Sequence, residues 1–300
     1  MPELSNRSEI LFLYDVRDAN PNGDPLDENK PRIDEETGKN IVTDVRLKRT
    51  IRDYLYTYKS KDIFILEIKD ENGNLKTKES RLKDFENSPN QIIEKCIDIR
   101  LFGATTAVES QTMAITGPVQ FKYGRSLHKV DMTYIKGTTV MPSAADKKQG
   151  TFTERYILPY SLIAFYGIVN ENASANQKLN LTDEDINLML EAIWNGTKNL
   201  ISCSKAGQMP RILMQVIYKE KDFFIGELDK RISLVSDKRD EEIRDISEVK
   251  LDVTKLLNIL DTYKDKIKKI ILKVDERISF IKDGQIVNLE TLPQFEKFNF

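Results

Sequence analysis

The segment SEILFLYDV, Ser8 to Val16, gathers apolar and aromatic residues into one short run and stops at DANPNGDP, Asp18 to Pro25. A run of this kind bounded by turn residues predicts a β-strand feeding directly into a rigid loop. After a polar stretch through Asn40, Thr43 is placed to cap a helix whose apolar positions Val45, Leu47, Ile51, Tyr54, Leu55 and Tyr58 recur at helical spacing. Gly117 to Tyr123 predicts a second strand, and YILPYSLIAFYGIV, Tyr156 to Val169, a third with bends at Pro159 and Gly167. Thr182 and Asp185 stand at capping-box spacing before a helix, expected over about 182–201, with the apolar stripe Ile186, Met189, Leu190, Ile193, Trp194, Leu200 and Ile201. Residues 211–218 predict a fourth strand.

The core order is therefore βαββαβ, an α+β fold with a ferredoxin-like or RRM-like palm and large insertions. A four-stranded sheet with helices on one face commonly offers its other face to RNA, so that face is a candidate binding surface. The palm is expected over residues 1–218, with a ribbon-helix region inserted at about 60–115. Asn72-Gly73 predicts a hairpin between Ile63–Ile68 and Leu75–Thr77. Ser88-Pro89 predicts the start of a helix reaching about Ile99, and Ala104 to Thr116 reads as a polar linker. Lys129 to about Arg155 is polar, broken by Gly137, Pro142 and Gly150, and predicts an exposed excursion outside the core. Residues 219–300 are expected to add a helix near Val253–Tyr263 and strands that complete or flank the palm.

Composition narrows the function. With 40% hydrophobic and 31% charged residues the chain reads as folded, and no run of eighteen apolar residues predicts a membrane span. The N-terminus lacks a basic region followed by an apolar run, so a cytoplasmic location is expected. The single histidine, His128, and the distant cysteines Cys96 and Cys203 provide neither a zinc-ligand set nor a nucleophile arrangement, so no metal, cofactor or catalytic group is expected. Net charge is −2, so any attraction to nucleic acid has to come from a local basic surface.

Five places can contribute to such a surface. In the loop after the first strand, Asn20, Asn22 and Gly23 can meet bases, sugars or phosphates, or the loop can be a turn stapled by its own Asn and Asp side chains. Asp18, Asp24 and Asp27 there also allow a general-base reading that lacks basic or histidine partners. On the following helix, Arg46 and Arg49 lie three apart and Lys48 and Arg52 four apart, a positive patch near helix N–H groups and equally an ordinary solvated face. Gln111 and Thr112 lie in the polar linker. Lys205, Gln208 and Arg211 surround Gly207, where backbone can approach a phosphate or simply end a helix. In the excursion, Met132, Met141 and Phe152 are the candidates for wedging between bases.

Taken together, YDVRDANPNGDP, VTDVRLKRTIRDYL, DIRLFG and ITGPVQF, in this order and spacing, resemble the Cas-seven family of Cascade backbone subunits in the RAMP superfamily, of the type I-B or related I-C branch. The resemblance covers nearly residues 8–218. It implies a CRISPR guide RNA as partner, target DNA reached through the guide, copies of the chain stacked head to tail, and other Cascade subunits alongside. It also implies that Arg46, Lys48 and Arg49 contact phosphates, that Asn20, Asn22 and Gly23 lie near RNA, and that the excursion at about 130–155 is a thumb folding over RNA held by a neighbour. Type I subunits of this kind leave cutting to a separate nuclease. Two alternatives stay open: an endoribonuclease working through His128 or Asp24, and an assembly protein that holds no RNA.

Overall fold

The computed structural model describes residues 3–108, 111–138 and 152–300. In chain order the strands are β1 (Ser8–Ala19), β2 (Gly23–Asp24), β3 (Lys30–Pro31), β4 (Lys39–Val42), β5 (Gly103–Val108), β6 (Gln111–Thr116), β7 (Val119–Phe121), β8 (Gly124–Lys129) and β9 (Thr133–Thr138). There follow β10 (Phe152–Val169), β11 (Met209–Tyr218), β12 (Ser233–Val235), β13 (Lys250–Asp252), β14 (Ile267–Val274), β15 (Phe280–Lys282), β16 (Gln285–Val287) and β17 (Phe295–Lys297). The α-helices are α1 (Asp44–Lys59), α2 (Lys78–Lys83), α3 (Pro89–Lys95), α4 (Ile97–Phe102), α5 (Glu171–Asn176), α6 (Asp183–Lys198) and α7 (Thr254–Thr262).

β1 lies at the middle of the main sheet, antiparallel to β10 on one side and to β11 on the other. β7 and then β8 pair with successive parts of β10, β4 pairs with β8, and β14 and β17 extend the other edge beyond β11. Successive side chains of a strand point to opposite faces, and β1 buries both sets. Ile10, Phe12, Tyr14 and Val16 pack under α1 and α6, whereas Leu11 and Leu13 face a second core.

That second core overturns the open-face expectation. Leu162 and Tyr166 of β10 and Ile212, Met214 and Val216 of β11 meet Leu228, Ile246, Leu251, Leu256 and Leu260 from the last third of the chain. The small sheet β12-β13-β15-β16 and α7 thus cover the face where RNA was expected. The cover is pinned by Glu9, fully buried in β1. Its carboxylate accepts from the hydroxyls of Tyr166 and Tyr218 and from the backbone N–H of Ile225 (2.9 Å) and Gly226 (2.8 Å).

On the helical face, α1 and α6 cross closely because Gly196 leaves room. A Cβ there would stand 3.1 Å from the Tyr54 Cβ and 3.2 Å from the Thr50 carbonyl. The capping box of Thr182 and Asp185 is formed as expected. Val45 and Tyr58, expected on the core stripe of α1, are instead exposed. Val45 falls nearly opposite Leu47 and Tyr54 around the helix, on the face it shares with Arg49 and Arg52.

The inserted region has its own core of Phe64, Leu82, Phe85, Ile92, Ile99 and Met113. Three expectations change here. Residues 63–77 carry a turn and one bridge, Lys69 to Leu75, in place of two strands. The helix from Ser88 breaks at Cys96, which takes extended dihedrals before α4. The presumed linker forms the antiparallel hairpin β5/β6. The excursion begins as an exposed ribbon in which β9 pairs with residues 152–157 of β10. No described helix is long and apolar enough to cross a membrane.

Candidate nucleic-acid interface

Three segments converge at the start of α1. Thr43 caps the helix, its Oγ1 accepting from the Arg46 N–H at 3.3 Å. Asn22 holds that cap from the loop after β1: its Oδ1 accepts from the Thr43 backbone N–H (2.8 Å) and hydroxyl (2.9 Å). The loop before β11 closes the third side, where the Ser204 carbonyl accepts from the Asn20 N–H at 2.9 Å and Lys205 donates to the Asn20 carbonyl.

The charges here are unbalanced. Burial pushes the Arg46 guanidinium below its usual range, and burial together with the neighbouring Arg46 charge lowers the Lys205 ammonium to about 8. Among the described residues neither cation has a carboxylate within ion-pair distance. Two buried amides are incompletely bonded as well. Asn20 donates to the Asn29 carbonyl at 2.7 Å but its Oδ1 has no partner, and the Gln208 Nε2 has none. Gln208 borders, with Tyr14, Arg46 and Thr50, a void of about 10 Å³. Desolvated cations without counterions are costly, and an anion bound by charge-assisted hydrogen bonds is what relieves them. The helix N-terminus favours the same charge.

From Arg46 a cleft of about 530 Å³ runs along α1 toward the inserted region, bordered among the described residues by Arg49, Arg52, Lys76, Lys78 and Arg81 and by one acid, Glu67.

The sequence model of the CRISPR-associated protein Cas7 family matches residues 6–254. The chain belongs to the Cas7 family. A CRISPR-associated protein Cas7 from Haloferax volcanii is 31% identical over 306 aligned positions, covering 91% of this chain and 88% of that one. Two solved structures share the fold. A chain of a CRISPR RNA-guided surveillance complex aligns with TM-score 0.55 at 14% identity, covering 97% of this chain and 94% of its own. A chain of such a complex described as pre-nicking aligns with TM-score 0.56 at 11% identity, covering 97% and 96%.

Within this Cas7-family fold the expected contact residues separate into two groups. Asn20, Asn22, Arg46, Lys205 and Gln208 come together around the start of α1. Arg49 stands at the cleft, half exposed, with its guanidinium on Asp53 (2.8 Å) and Glu67 (3.5 Å). The other cations are occupied. Lys48 pairs with Asp44 at 2.9 Å and lies over the Phe102 ring, and Arg52 is buried against Asp98 at 2.9 Å. Arg211 is buried between Asp15 (2.9 Å) and Asp275. Gly23 lies in β2 without positive φ. It is small because a Cβ would come within 2.1 Å of the Asn29 Oδ1, and the left-handed residues of this loop are Asp18, Glu28 and Asn29.

Gln111 and Thr112 lie in β6, opposite Val108 and Ala107. Met132 is partly exposed just before β9, Phe152 begins β10 opposite Thr138, and Met141 lies outside the described residues.

The two groups considered for catalysis are engaged elsewhere. His128 is buried, with Nδ1 at 2.7 Å from the Lys129 carbonyl and Nε2 accepting from the Leu162 N–H at 3.3 Å, and burial lowers its pKa. Asp24 pairs with Arg32 at 2.6 Å and accepts from the Leu26 N–H. Sequence reasoning passed over Lys76, Lys78 and Arg81, which lie on the cleft although they are distant from the motifs. It also assigned Val45 to the core, although the helical angle between Val45 and Leu47 was there to exclude it.

Proposed function

We propose that this Cas7-family chain is a non-catalytic, RNA-binding backbone subunit of a type I Cascade complex. Several copies lie head to tail along one guide RNA in the cytoplasm and, with the other Cascade subunits, present it for pairing with target DNA. The observation that carries the reading is the Arg46–Lys205 pair, two desolvated cations with no carboxylate partner among the described residues, beside the unpaired amide atoms of Asn20 and Gln208. A backbone phosphate supplies the missing charge and an acceptor for the Gln208 Nε2. It carries no base information, as a subunit that must accept any guide requires.

Supporting the palm assignment, β11, β1, β10 and β7 lie in that order, all antiparallel, with α1 and α6 packed on one face. This is the arrangement of a ferredoxin-like βαββαβ unit whose second face residues 219–300 have taken over. The exposed ribbon of β9 and outer β10 supports a thumb. The engagement of His128 and Asp24 favours a binding role over cleavage.

The test is the nucleic-acid content of the protein purified at low salt. RNA-bearing oligomers with a raised absorbance ratio and extractable RNA of repeating length are expected. A homogeneous monomer free of nucleic acid contradicts the reading, and RNA-free oligomers would favour a purely structural assembly role.

A further inference from the structure

The β2–β3 hairpin is an arm without a core of its own. None of residues 22–30 is buried, and Leu26 at the tip is 96% exposed. Its turn is nevertheless sharply defined: Glu28 (φ 47°) and Asn29 (φ 58°) stand consecutively in the left-handed region, where a side chain such as that of glutamate is seldom found. Such a backbone persists only where its surroundings fix it. Two polar joints do so, one on each of these residues.

The inner joint is at the phosphate seat. The Asn29 carbonyl accepts from the Asn20 Nδ2 at 2.7 Å, and the Asn20 backbone is itself bonded to Ser204 and Lys205. The outer joint is on the exposed ribbon. Glu28 accepts from the Tyr156 hydroxyl of β10 at 2.8 Å, and the Lys30 ammonium, 5.3 Å from the Tyr156 ring centroid, pairs with Glu28 at 3.3 Å. The Tyr156 ring lies 5.1 Å from that of Tyr134, its partner across the ladder in β9. Neither ring belongs to an apolar core. A two-stranded ribbon has little stiffness of its own, so its angle at this point is left to the arm.

We infer that the β2–β3 arm is a strut that sets the direction of the β9–β10 ribbon from the phosphate seat, with Tyr156 and Glu28 as positioning residues for assembly between copies. The contacts run without a break from Asn20 to Asn29, Glu28 and Tyr156, and so fix where the ribbon points relative to a bound phosphate. Tyr156 and Glu28 act through the ribbon and not on the RNA of their own seat. This rests on the RNA-binding reading above and adds to it how one copy is aimed at the next.

The test uses the full-length protein and compares Tyr156→Phe and Glu28→Ala, which each break the outer joint, with Glu28→Gln, which keeps an acceptor for the hydroxyl. Circular dichroism checks the fold of each variant. Affinity for a short single-stranded RNA that takes up one copy should be unchanged. On a long RNA the two breaking variants should need about fivefold more protein to assemble, the effect of one exposed hydrogen bond to a charged group lost per copy. Glu28→Gln should assemble normally. Hydrogen exchange should quicken in the breaking variants at residues 133–137 and 153–157 and stay unaltered at residues 43–47. If ribbon exchange and long-RNA assembly are unaltered in both breaking variants, or if Glu28→Gln fails with them, the strut is refuted while RNA binding stands. A matching loss of affinity for the short RNA would place these residues at the seat and overturn the strut as well. If the unaltered protein binds neither RNA, the RNA-binding reading falls and the strut's role in assembly falls with it.

Discussion

Lys205 donates to the backbone carbonyl of Asn20, joining the loop before β11 to the loop after β1 directly beside Arg46. Among the described residues no carboxylate lies within ion-pair distance of either cation, so the start of α1 carries local positive charge. The consequences differ sharply from those of the buried ion pairs elsewhere in the chain.

The first consequence is a pH dependence. Lys205 is held at about 8 in the free protein, and a phosphate beside it favours the ammonium, so its pKa rises on binding. Affinity for RNA should therefore be full below pH 8 and fall as pH rises from 8 toward the higher pKa of the bound form. Fluorescence anisotropy from pH 7 to 9.5 checks this, and Lys205→Arg, which stays charged, should flatten the profile. An equal decline in wild type and the arginine variant would place the titrating group elsewhere.

Removing the uncompensated charges should not harm the fold. Arg46→Met and Lys205→Met should leave the melting temperature unchanged or raised, because each removes a desolvated cation that has no carboxylate within ion-pair distance among the described residues. RNA binding should weaken for all sequences alike. If the two hold one phosphate, the double variant should reduce the slope of log K against log salt by about 0.7. An unchanged slope would mean that they contact no phosphate.

Arg52, six residues along the same helix, should behave in the opposite way. Its Nε bonds the fully buried Asp98, which also accepts from the Phe64 N–H at 2.8 Å and the Ile65 N–H at 3.1 Å. Arg52→Met leaves that carboxylate without its cation and should cost about 3–5 kcal/mol in a denaturant titration. A loss below about 1 kcal/mol would show that the two amides alone suffice for Asp98.

Glu9 should govern the cover over the second sheet face. Glu9→Gln keeps the shape but turns one acceptor end into a donor facing donors, leaving at least one group unpaired at about 1–3 kcal/mol. Hydrogen exchange should then quicken at Ile225 and Gly226 and along β11. Unaltered exchange there would mean that the cover is held by its apolar contacts alone.

The legible parts of this molecule were those written in local sequence. β1, the Thr43 cap of α1 and the Thr182 capping box each depend on residues within a few positions. What was missed depends on distant partners. Nothing near Arg52 or Arg211 announces Asp98 or Asp275, so both arginines read as available cations. The covered face was partly legible, because Leu11 and Leu13 alternate with Ile10 and Phe12 and leave β1 no polar side. The elements that satisfy them arrive more than 200 residues later in the chain. Arg46 and Lys205 were each singled out in the sequence, but their closeness is a property of three converging segments.

The central claim, that copies of this chain line up along RNA by a phosphate-directed site, is tested most directly by counting. Purified protein is mixed with single-stranded RNAs of stepwise increasing length and the complexes are weighed by native mass spectrometry. The account predicts that one further copy joins for each fixed increment of RNA, whatever its sequence, and that Arg46→Met with Lys205→Met abolishes the ladder while leaving the monomer folded. A single bound copy at every length, or no complex at all, would contradict it.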